Sequence, residues 1–107
     1  MPQLALKRLD CIKKQEARED EIRISVDGKK VAGDFKIDKN DPPITLNAKG
    51  NFIGAVTIML TEVDKKGASE FLGTHVVRAT QAGTGTHTAI FNDKPSFDYR
   101  LTYEVSA

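Results

Sequence analysis

Tryptophan is absent from this 107-residue chain, and cysteine occurs once. A lone Cys11 excludes an intramolecular disulfide and removes the framework that stabilises small secreted domains. The missing tryptophan takes away the ring most used as a carbohydrate platform or interfacial anchor. No apolar run approaches the ~20 residues needed to span a bilayer as a helix. Met1 to Arg8 carries Lys7 and Arg8 with no apolar stretch behind them, so it does not read as a Sec signal peptide. The expected location is therefore cytoplasmic, or outside the cell by a route without that signal. An excess of one charge is also missing: 16 Lys and Arg face 15 Asp and Glu, for a formal net charge of +1. Bulk attraction to nucleic acid is excluded as the driving force, and no nucleic-acid partner is expected. Histidine occurs only at positions 75 and 87, neither with a metal-ligand or acid–base partner at a defined spacing.

What remains is an ordinary soluble composition, 39% hydrophobic and 29% charged. At this length the chain reads as one domain, residues 1–107, able to bury roughly 65% of its unfolded surface. The apolar period is two almost throughout, the signature of strands. Ile22, Ile24 and Val26 alternate with Arg23, Ser25 and Asp27. Asp27-Gly28 then supplies a two-residue hairpin turn. Phe97, Tyr99, Leu101, Tyr103 and Val105 alternate as cleanly with Asp98, Arg100, Thr102 and Glu104. The first strand, Leu4 to Ile12, changes phase between Leu6 and Leu9, which calls for a bulge. Turns are expected at Asp38 to Pro43, Lys49-Gly50-Asn51, Asp64 to Glu70, Gln81 to Gly85 and Asn92 to Pro95. Phe52, Val56, Ile58 and Leu60 are expected on one face of a long central strand. Helix is confined to a turn at most, over Gln15 to Asp20. The count is about eight strands, and the fold class is an all-β antiparallel sandwich.

Catalytic patterns are missing. Cys11 has no local His or Asp companion and reads as a small buried hydrophobe. Gly83-Thr84-Gly85-Thr86 opens no helix and carries no Gly-Lys-Ser/Thr, so it reads as a hairpin turn rather than a phosphate loop. His75 and His87 read as structural or surface residues. The carboxylates carry more information. Glu62, Asp64 and Glu70 flank one loop, and Glu19 and Asp20 precede another strand. Hard cations take several oxygen ligands, which loops at one end of a sandwich can supply.

Val56-Thr57-Ile58-Met59-Leu60-Thr61-Glu62-Val63-Asp64, followed by Ser69-Glu70-Phe71-Leu72-Gly73, resembles the central strand, third loop and following strand of the C2 domain. Asp20-Glu21-Ile22-Arg23-Ile24-Ser25-Val26 resembles that family's strand after the first calcium loop. The resemblance covers the middle two-thirds of the chain. It implies an eight-stranded sandwich acting as a small non-enzymatic binding module that engages a protein or a membrane surface. It further implies calcium as the candidate cofactor, held by Asp20, Glu62, Asp64 and Glu70. Two of the loop acids are Glu where the family usually has Asp, and Lys14 falls near another acidic position, so any calcium binding is expected to be weak. By the same resemblance, Lys29, Lys30, Lys65 and Lys66 are candidates for headgroup or partner contact. Acids interspersed with Lys29 and Lys30 also suit them to protecting a sheet edge. The alternative function is a metal-independent structural or regulatory protein that self-associates or binds a protein partner through its sheet. A homo-oligomer is compatible with either.

Overall fold

A computed structural model describes residues 1–13, 20–38, 40–63 and 69–107, with the side chain of Asp20 outside that description. Eight strands run in chain order: β1 (Gln3–Lys13), β2 (Asp20–Val26), β3 (Lys29–Ile37), β4 (Ile44–Asn51), β5 (Ala55–Glu62), β6 (Glu70–Arg78), β7 (Thr86–Phe91) and β8 (Asp98–Ser106). They form two antiparallel four-stranded sheets, β4-β1-β8-β7 and β3-β2-β5-β6. The only helix among the described residues is a 3-10 turn at Ala79–Gln81. The residues expected to form a helical turn, 15–19, lie outside the described ones, and Asp20 already belongs to β2.

Each sheet turns one face of its pleat inward, and the alternation read from the sequence decides which. β8 buries Tyr99, Leu101, Tyr103 and Val105 and leaves Asp98, Arg100, Thr102 and Glu104 half-exposed. Facing them, β5 contributes Val56, Ile58 and Leu60, and β2 contributes Ile22 and Ile24. β5 is central in its sheet, as its two-sided apolar character requires. Asp27 and Gly28 take φ of 49° and 82°, the left-handed pair that a two-residue hairpin needs. The phase fault in β1 is a real bulge. Against β4 the pairing shift between Leu6 and Arg8 places the extra residue on β4, between Thr45 and Ala48, whereas against β8 the shift runs the other way and Lys7 is the extra residue. This keeps both Leu6 and Leu9 in the core.

Two expectations fail in the same place. Lys49-Gly50-Asn51 does not turn. β4 continues to Asn51, opposite Gln3, because the start of β1 offers it a full partner. The chain reverses instead at residues 52–54, where Gly54 has φ of 73° and Ala55 N–H donates to the Ile53 carbonyl at 2.8 Å. Phe52 is buried as expected but precedes β5, and Ile53 is 80% exposed at the tip of the reversal.

The sheets approach closely at Gly73 in β6, which has φ of 140°. A Cβ there would lie 3.2 Å from both the Phe91 ring and the Asp93 carboxylate. Glycine meets both the backbone and the spacing demand.

The strand register predicts two unequal substitutions. Leu101→Ala removes a fully buried side chain between the sheets and is expected to cost about 2–5 kcal/mol. Arg100→Ala removes an ion pair with Asp98 that is open to solvent, and its expected cost is below about 1 kcal/mol. Urea denaturation of the two variants checks this, and equal midpoints contradict the register of β8.

Candidate functional site

Antiparallel order sorts the connections between the two ends of the sandwich. The β1–β2, β3–β4, β5–β6 and β7–β8 connections all join strands at one end. The β2–β3, β4–β5 and β6–β7 connections join them at the other. Asp20 opens β2, Glu62 closes β5 and Glu70 opens β6, so all three backbone positions fall at the first end. Their strands are neighbours: Ile22 pairs with Glu62, and Glu62 pairs with Glu70. Asp64 lies outside the described residues.

Glu62 continues the inward parity of Val56, Ile58 and Leu60 and is buried, with 6% of its surface exposed. A carboxylate in that position costs free energy unless other groups compensate it. Glu70 stands directly across the ladder, and like charges at opposed positions repel. One compensation is visible. Lys94, in the β7–β8 connection, donates from Nζ to Glu70 Oε1 at 3.3 Å. This ammonium stands where a cation bound at Glu70 would act. Among the described residues, no three His, Cys, Asp or Glu side chains converge as a metal site.

The lysines divide. Lys29 and Lys30 follow the β2–β3 hairpin at the second end, pairing with Val26 and Ser25. Six residue steps along β2 separate them from Asp20, about 20 Å at the rise of a strand. Lys29 is exposed, and Lys30 lies 3.7 Å from Asp34. Lys65 and Lys66 are outside the described residues, in the connection between Glu62 and Glu70. Lys29 and Lys30 therefore stand at the end opposite to Glu62 and Glu70.

A second polar cluster was not anticipated from the sequence. His75 of β6 and His87 of β7 belong to different sheets, yet both pack on buried Tyr103 of β8. Ring centroids lie 5.6 and 5.5 Å from the tyrosine, and His87 stacks at 21°. His75 Nε2 is 3.0 Å from the Tyr103 hydroxyl, which donates to Gln81 Oε1 at 3.2 Å. His87 Nε2 is 2.6 Å from Thr84 Oγ1. The cluster ties the sheets together where β6 and β7 form the edge of the sandwich. Strand parity carried the signal, since His75 shares inward parity with Val77, and His87 with Ala89 and Phe91. Burial, and secondarily the neighbouring His87, hold the His75 pKa below the usual histidine value.

No family model matches the sequence, and no curated protein matches it. Solved structures do. A C2 domain of plant Extended Synaptotagmin 1 is 13% identical over 98% of this chain and 92% of that one, with a TM-score of 0.62. A structure described as a C2 domain is 11% identical over 99% and 97%, at 0.56. Human GIVD cytosolic phospholipase A2 is 8% identical over 98% of this chain, at 0.59, but the match spans only 15% of that protein. The chain thus has a divergent C2-like fold, an eight-stranded antiparallel sandwich.

The lowered His75 pKa sets a pH dependence. Above about pH 6.5, His75 is neutral in both the folded and unfolded states, and it adds no slope. As pH falls below that value, the unfolded chain takes up the proton first. Stability therefore declines until the lower folded-state pKa is reached, and then the decline levels off. The melting temperature is expected to drop between about pH 7 and 5, less steeply in His75→Gln. Equal slopes in the two proteins contradict this assignment.

Proposed function

Starting from the C2-like fold, we propose that this chain is a small non-enzymatic binding module. It engages a protein partner or a membrane surface, with weak calcium dependence at the end that carries Asp20, Glu62, Asp64 and Glu70. The observation that supports the reading is the opposition of Glu62 and Glu70 on adjacent strands, with the start of β2 alongside. Carboxylate oxygens suit a hard cation, which would relieve the repulsion between them. Calcium there would be held by these side chains and would supply positive charge toward an anionic partner. Lys94 neutralises part of the same charge, so calcium must compete with an ammonium already in place.

That ion pair also favours a second reading. With Glu70 satisfied by Lys94, the module engages its partner without metal, and the acidic end is a structural junction between β5, β6 and the β7–β8 connection.

Thermal melts separate the two readings. If calcium binds the folded state with a Kd of about 10⁻⁴–10⁻³ M, then about 10 mM calcium raises the melting temperature by roughly 5–15 °C. Asp64→Asn is expected to abolish the rise. Lys94→Ala is expected to enlarge it, because it removes the competing cation. A wild-type melt that ignores calcium establishes the metal-independent reading.

A further inference from the structure

The opposite end of the sandwich carries a pocket that neither reading uses. The inward side chains of β4 shrink along the strand, from Ile44 and Leu46 to Ala48 and Gly50. Gly50 pairs with buried Leu4, in a backbone conformation outside the left-handed region. A Cβ built on it would meet no atom within 4 Å. Neither backbone conformation nor crowding requires glycine there. The missing side chain leaves an open pocket of about 70 Å³ between β4 and β3, walled by Leu4, Leu6, Val26, Val31, Ala48 and Phe52. A cavity of about 150 Å³ holds benzene, so half that volume suits one branched aliphatic side chain rather than a ring.

Two features indicate what would present such a side chain. First, β4 is the edge strand of its sheet. Its outward N–H and C=O groups are open to strand addition. An added strand continues the pleat, so every second side chain enters the seam facing Val31. Second, the rim is positive. Lys29 on β3 and Lys49 on β4 are exposed, while Lys30 beside them lies 3.7 Å from Asp34. The nearby acids are already engaged. Arg23 holds Asp34 with two bonds of 2.8 and 3.0 Å, and the Asp27 carboxylate accepts the Thr57 N–H at 2.9 Å. A second copy of this chain would bring the same lysines against themselves.

We propose that the β4 edge and the Gly50 pocket bind an acidic, extended peptide segment, one aliphatic side chain of which seats between Ala48 and Val31. The inference is independent of calcium and of the acidic end.

The test uses the full chain and an array of short peptides on an alternating Asp-Thr framework, with one central position varied. Val, Ile or Leu at that position is expected to bind about tenfold more tightly than Gly, Asn or Trp. Gly50→Leu fills the pocket from within and is expected to erase that preference while leaving the melting temperature equal or higher. Gly50→Ala, which enters open space, is expected to reduce it. The double variant Lys29→Glu, Lys49→Glu should weaken every peptide by a similar factor and leave the preference intact. The proposal is overturned by a wild-type array without aliphatic preference, or by a preference that survives Gly50→Leu in a folded protein. It is likewise overturned if the binding sensitive to Gly50→Leu is to phosphatidylserine vesicles, or to a second copy seen by size-exclusion chromatography, rather than to peptide.

Discussion

The structure depends on one constraint, the burial of two pleated faces against each other with no α-helix among the described residues to cover either. Tyr99, Leu101 and Tyr103 of β8 and Ile58 and Leu60 of β5 are almost wholly removed from water. Each belongs to a strand in the middle of its sheet. Because side chains alternate along a strand, this burial fixes the orientation of every other residue on those strands. Glu62 is buried because it shares parity with Leu60. Arg100 is outward because it neighbours Leu101. The histidines meet at Tyr103 because each inherits the inward parity of an apolar neighbour. The polar chemistry is thus placed by the apolar pattern rather than by contacts of its own.

The same logic explains what the sequence revealed of the fold. The β1 bulge was legible because Leu4 and Leu6 fall out of phase with Leu9 and Cys11, and only an extra residue reconciles them. The Asp27-Gly28 hairpin was legible because its turn demands left-handed backbone that few residue pairs accept. The end of β4 was misread because Lys49-Gly50-Asn51 has the composition of a turn, and local propensity cannot register a partner strand nearly fifty residues away. Gln3 and Leu4 hold those residues in the sheet, and the reversal moves to Gly54.

The candidate site was legible in part for a related reason. Acids at strand ends could be assigned to one end of a sandwich once the strands were counted, and the backbone positions of Asp20, Glu62 and Glu70 do gather there. Lys94 could not be foreseen, because it reaches Glu70 across 24 residues through a connection whose path the sequence does not fix. The separation of Lys29 and Lys30 from the acidic end is a matter of topology: a hairpin after seven residues of β2 returns the chain at the far end. Gly50 was visible only as a turn residue. Its meaning as a vacant inward position emerges once β4 runs through it.

The pairing of β1 with β8 carries a mechanical consequence. These two strands are antiparallel neighbours inside one sheet, and Gln3 lies opposite Ser106. A pull on the two chain ends therefore acts at the same end of the ladder and peels its hydrogen bonds one rung at a time, instead of shearing many at once. The first rungs to part release Leu4 and Val105 from the core. Tension along the chain would thus open the molecule at a low force, beginning beside the wall of the Gly50 pocket. The acidic end, at the far end of the same ladder, would be reached last.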